Sequence, residues 1–246
     1  MTTTSTTSEP TIILVPGHWL GAWAWDEVLE DLTAAGAAAT AVTLPGLDEH
    51  DPSRSSKTLD DQAAAIEEVI TQAPGGQGVV LVAHSGANAP VTLVLDRHPE
   101  LIRRVVWVDS GPVAPGSVFA SDAPEGLEEL PLPPFDVLKE QASLEGLSAE
   151  ALDRFRSRAV PEPGPVLRQP VRLTNDARLG VPTTLVCCSL PSTQLLELAQ
   201  AGHPMFAEVT KLQHRELVDL PTGHWPMWSR PQDLATAIRA AATQAS

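Results

Sequence analysis

The chain has 246 residues, 43% of them hydrophobic and 19% charged, and its 16 Lys and Arg face 31 Asp and Glu, for a formal net charge of −15. That length suits one large domain or one domain with an insertion, and the charge argues against nucleic acid or an anionic membrane surface as a partner. No apolar run reaches the roughly 20 residues of a membrane span, and with no Tyr at all any chemistry that needs a phenol is excluded.

Residues 1–10 lack the basic start and apolar core of a secretion signal and read as a disordered leader. Thr11-Ile-Ile-Leu-Val15, closed by Pro16-Gly17, has the continuous apolar, β-branched character of a strand buried on both faces. A helix is predicted over 26–35, stopped by Gly36, then a strand over 39–44. The unit repeats as helix 58–73, strand 78–83, helix 89–97 and strand 104–109. Strands alternating with helices of this length imply a mostly parallel sheet with helices on both faces. Gly75-Gly-Gln-Gly78 precedes a strand and no helix, so it is a turn and not a phosphate loop.

From 111 to 180 the rhythm breaks. No strand is predicted there, prolines and acids accumulate, and helical spacing shows only near 134–147 and 148–159. Seventy residues is too long for a structureless loop, so 112–180 is expected to be an inserted helical cap, leaving 11–111 and 181–246 as the core. The rhythm resumes as strand 182–188, helix 194–200, strand 216–220 and helix 231–242. The two cysteines, Cys187 and Cys188, are adjacent in an extended segment and point to opposite faces, so no disulfide joins them and a cytoplasmic location is expected.

One segment carries chemistry. In Val79-Val-Leu-Val-Ala-His-Ser-Gly-Ala-Asn88 a buried strand runs into Ser85, flanked two residues away on each side by alanine, and then into a helix. This is the setting of a nucleophile elbow, whose sharp turn needs small neighbours and exposes the hydroxyl. A Ser that merely caps a helix has the same local sequence. The base that such a hydroxyl needs is offered by His224 in Leu220-Pro-Thr-Gly-His-Trp225, a loop after the last strand. Oxyanion donors are offered by the N–H of Gly86 and by His18 or Trp19 in the loop after the first strand. His84, Trp225, Phe119 and Phe135 are candidate pocket residues. The histidines show no metal-ligand spacing with carboxylates or thiols, so no metal and no cofactor are expected.

Val15-Pro-Gly-His-Trp-Leu-Gly-Ala-Trp-Ala-Trp25, His84-Ser85-Gly86 and Gly223-His224 together resemble the α/β-hydrolase fold superfamily. Within it they are most similar to small cap-bearing members such as the plant methyl-salicylate-type esterases and hydroxynitrile lyases. The resemblance runs through nearly the whole chain from Thr11 and implies a six-stranded core. It also implies a carboxylic-ester hydrolase with Ser85 as nucleophile and His224 as base. The superfamily's usual acid position falls near 188–193, where no carboxylate stands. Asp109, at the end of the strand after the elbow, and Glu197 are the two alternatives. The lyases' Lys after the catalytic His is replaced by Trp225, and the Asp nucleophile and cap tyrosines of epoxide hydrolases are absent. The expected substrate is a small neutral ester or lactone. A ligand-binding protein and a cofactor-free oxygenase or cyclase are the competing readings.

Overall fold

The computed structural model describes residues 10–74 and 78–244. Most of the expected leader, and 75–77 of the glycine-rich turn, lie outside the described residues. In chain order the elements are β1 (Thr11–Val15), α1 (Asp26–Ala34), β2 (Ala39–Ala41), α2 (Leu59–Gln72), β3 (Val79–His84), α3 (Asn88–Arg97) and β4 (Ile102–Val108). There follow β5 (Glu129–Leu130), α4 (Phe135–Leu138), α5 (Ala149–Arg158), β6 (Glu162–Pro163) and α6 (Gly164–Arg168). The chain closes with β7 (Thr183–Cys187), α7 (Ser192–Gln200), β8 (Arg215–Asp219), α8 (Pro226–Ser229) and α9 (Pro231–Thr243).

Six strands form one sheet in the order β2-β1-β3-β4-β7-β8, every neighbouring pair parallel. The alternation of side chains along each strand divides the core in two. Ile13, Leu81 and Trp107 face α2, α3 and α7, with Ile66, Val91 and Leu195 among the residues packed there. Ile12, Val80 and Val106 face α1 and α9, with Leu32 and Ile238 opposite. From β1, in mid-sheet, the chain runs outward to β2 and crosses back to β3. The strand order therefore reverses between β1 and β3, and the carboxyl ends of those two strands border the crevice where α/β sheets place ligands.

Residues 112–180 depart from the expectation of a strandless helical segment, since β5 and β6 pair antiparallel, Glu129 with Pro163 and Leu130 with Glu162. Two residues per strand leave no periodicity to read. The helical spacing near 134–147 yields only the four-residue α4, because Pro131, Pro133 and Pro134 precede it and Gly146, at φ +80°, lies beyond it. Helix α5 forms as expected, with Ser148 Oγ accepting the Ala151 N–H at 3.1 Å as its N-cap.

Candidate active site

Strand β3 is buried throughout and runs directly into Ser85, whose φ is +50°. Among the described residues, only Trp19 (+65°), Ser85 (+50°) and Asp109 (+45°) hold a positive φ without being glycine. They follow the carboxyl ends of β1, β3 and β4. Each such conformation costs on the order of 1–3 kcal/mol and persists where the surroundings impose it, characteristically at functional sites. The loop after β1 passes so close to the elbow that a Cβ on Gly17 would stand 2.8 Å from that of Ser85. Glycine is required there by space.

His224 reaches the elbow from the loop after β8. Its Nε2 lies 2.7 Å from Ser85 Oγ and its Nδ1 lies 2.6 Å from Asp109 Oδ2. Backbone bonds to the inserted segment hold the loop: His224 N donates to Ser143 O at 2.8 Å and Gly223 N to Glu145 O at 3.2 Å. From the other side the His84 imidazole approaches, its Nε2 2.7 Å from the His224 carbonyl oxygen. Burial, and after it the neighbouring His224 ring, push His84 down to about 3. It is therefore neutral and donates from Nε2 to that carbonyl.

Asp109, not Glu197, meets His224. Glu197 is on the exposed face of α7. Asp109 Oδ1 accepts the N–H groups of Cys188 and Ser189 at 3.0 and 2.8 Å, and Oδ2 accepts the Ser189 hydroxyl at 2.6 Å. Burial opposes its charge, but the bonds from His224 and Ser189 outweigh this and hold the carboxyl below its ordinary value. The segment after β7, which lacks a carboxylate of its own, thus supplies donors to one from the next strand.

The oxyanion expectation divides. Gly86 follows Ser85 at the start of the turn into α3. The Trp19 N–H is turned to Glu162 Oε2 at 3.4 Å, so it is not free to serve. The His18 N–H has no partner among the described residues.

A cavity of about 400 Å³ opens over Ser85, walled by His18, Trp19, His84 and Trp225 from the core and by Phe119, Leu138 and Gln141 from the inserted segment. Phe135, expected in this wall, is not there. It packs 5.7 Å from Phe155 with the Arg156 guanidinium 4.6 Å over its ring, because α4 turns Leu138 inward in its place. Phe155 is fully buried against Trp225 and Trp228. Of the six tryptophans, Trp19 and Trp225 line the cavity, while Trp25 and Trp107 are core and Trp23 stacks on Trp228 outside it.

Residues 12–237 match the Alpha/beta hydrolase family. The chain belongs to that family. Curated relatives include a putative chloroplastic methylesterase 12 from Arabidopsis thaliana, 30% identical over 115 residues, which are 45% of this chain and 33% of the relative. Esterase PIR7B from Oryza sativa subsp. japonica is 33% identical over 107 residues, 42% of this chain and 40% of the relative. The chain's matches thus span less than half the length of these relatives. Among solved structures, the methylesterase MES16 from Arabidopsis superposes with a TM-score of 0.72 at 21% identity, covering 94% of this chain and 98% of that one. Tomato methylketone synthase I gives 0.74 at 15% identity, covering 95% and 98%. These likenesses show the fold.

Several residues of this alpha/beta hydrolase site were invisible in its sequence. Glu162 comes from β6 and stands behind His18, 3.0 Å from Nδ1, and Ser189 bonds Asp109. Met205 and Phe206, from the turn after α7, close the cavity rim. Cys187 also borders the cavity, but burial, then Asp219 and Asp109, push its thiol up to about 12, so it stays protonated and is no rival nucleophile.

Proposed function

We propose that the chain is a serine carboxylic-ester hydrolase acting on small neutral esters or lactones, with residues 112–180 as the cap over its site. The observation that carries this reading is the unbroken hydrogen-bond chain from Asp109 through His224 to Ser85, with links of 2.6 and 2.7 Å. Ser85 Oγ attacks the ester carbonyl as its proton passes to His224 Nε2. The N–H groups of Gly86 and His18 face the oxyanion, and Asp109 fixes the tautomer of His224 and stabilises its imidazolium. Collapse returns the proton to the departing alcohol and leaves an acyl group on Ser85. Water, deprotonated by His224, then releases the acid.

The methylesterase and esterase names of the relatives support an ester substrate. A wall with no Lys or Arg supports a neutral one, since an anionic substrate would meet no compensating charge. The test is hydrolysis of p-nitrophenyl acetate with a burst of one product per chain, and labelling of Ser85 by an alkyl phosphonate. Full activity in Ser85→Ala, or labelling elsewhere, overturns the reading.

A further inference from the structure

We propose that His84, the residue before the nucleophile, is a positioning residue that holds the His224 imidazole at Ser85 by bonding the backbone carbonyl of His224. This rests on the hydrolytic reading above and names a further residue for it. His224 has four polar atoms, and each meets a different residue. Its Nδ1 meets Asp109 and its Nε2 meets Ser85. Its N–H bonds Ser143 O at 2.8 Å, and its carbonyl oxygen receives His84 Nε2 at 2.7 Å. Among the described residues, His84 is the one group of the core that bonds the backbone of His224. The adjacent residues His84 and Ser85 therefore hold the histidine at both ends, one at the backbone and one at the ring.

The strand sets this up. Side chains of β3 alternate between the two faces of the sheet, and His84 falls on the face of Val80 and Val82, where its ring meets Trp25 edge-on at 6.4 Å. His84 is 1% exposed, and its Nδ1 is buried with no partner among the described residues. A Cβ on Gly17 would stand 3.0 Å from that nitrogen. An apolar side chain would fill the same place without burying an unpaired polar atom. What the imidazole adds is the N–H at Nε2, and it adds it without charge. The His84 and His224 rings lie 4.9 Å apart. A cation at position 84 would oppose the imidazolium that forms on His224 during turnover, and a neutral donor does not. Loss of the bond frees the carbonyl, shifts the ring and slows proton transfer from Ser85, so the damage falls on kcat and leaves KM largely alone.

The experiment compares His84→Leu, His84→Asn, His84→Gln and Ser85→Ala with the wild type on p-nitrophenyl acetate, with thermal melts to establish folding. A Gln amide reaches as far as Nε2 of an imidazole and keeps the donor, whereas an Asn amide stops at the level of Nδ1. His84→Leu and His84→Asn are expected to lower kcat about 10–100-fold with KM changed less than about threefold, and His84→Gln to stay within about threefold of the wild type in both. If His84→Leu does not fold, the contrast between Asn and Gln carries the test. The downfield proton resonance of the Asp109–His224 hydrogen bond should persist in His84→Gln and broaden or vanish in the other two, which a merely structural role would not produce. That signal needs no substrate, so it judges His84 separately from the hydrolytic reading. Folded Leu and Asn variants with kcat within about threefold of the wild type and an unchanged resonance overturn this proposal and leave the hydrolase. Equal losses in Asn and Gln overturn it too, since the reach of the donor would then be irrelevant. An active Ser85→Ala overturns the hydrolytic reading instead, and the resonance still decides whether His84 places the ring.

Discussion

Asp109 Oδ2 stands 2.6 Å from His224 Nδ1 across 115 residues of sequence, and the carboxylate comes from the strand after the elbow. The positive φ of Asp109 lets it turn out of β4 toward the neighbouring strand. There β7 ends, and the amides of Cys188 and Ser189 are free to bond it. A carboxylate with four donors is fixed in orientation as well as charge, which is what a residue that orients an imidazole requires.

Asp109→Asn should reduce kcat by about 10³–10⁴-fold, since the amide presents either the wrong tautomer or no charge to the imidazolium. Glu197→Gln should leave kcat within twofold. Steady-state hydrolysis by the two variants decides the matter, and a large loss in Glu197→Gln with a small one in Asp109→Asn would place the acid on α7.

Stability should fall as the medium is acidified below pH about 6.5. His84 binds its proton near 6.5 when unfolded and at about 3 when folded. Between those values the unfolded chain holds the extra proton, and stability drops by up to about 1.4 kcal/mol per pH unit on going down. Asp109, whose folded value is depressed, adds stability that is present above about pH 4 and is lost below that. Urea midpoints between pH 7 and 4.5 should decline in the wild type and decline less steeply in His84→Gln. Parallel curves would show that His84 is not the group responsible.

The six-stranded sheet was legible because its strands are buried on both faces and read as apolar runs, as in Thr11–Val15. Ser85, His224 and Asp109 were legible because each follows a strand at the same end of the sheet. Glu162 was not, for its partner His18 is 144 positions away and β6 is too short to show a period. Phe135 misled for the opposite reason: composition placed it in the wall, but the choice between Phe135 and Leu138 depends on how one turn of helix sits, which no local pattern encodes. The Trp19 amide was claimed by the same unseen carboxylate.

Phe119 and Phe135 should separate by the kind of damage their loss causes. Phe119 is 58% exposed at the cavity and touches the His18 ring, so Phe119→Ala should raise KM several-fold for a phenyl ester with little change in thermal stability. Phe135, half-buried against Phe155, should cost about 1–3 kcal/mol of stability as Phe135→Ala and leave KM within twofold. Melting curves beside KM values test the pair, and a KM effect confined to Phe135→Ala would return that residue to the wall.

Gly223 couples the inserted segment to the histidine loop. A Cβ at this position would lie 2.4 Å from Glu145 O and 2.6 Å from Ser143 O, both backbone atoms that have no rotamer to yield. Its φ is not in the left-handed region, so Gly223→Ala strains nothing in the loop itself and acts only by forcing the two segments apart. That displacement breaks the His224 N to Ser143 O bond and carries His224 away from Ser85. Overpacking of this kind costs about 1–3 kcal/mol, and misplacing a base by an ångström costs about 100-fold in rate. The variant should therefore melt several degrees lower and lose about 100-fold in kcat together. A kcat and melting temperature equal to those of the wild type would mean that the segment 143–145 does not hold His224 in place.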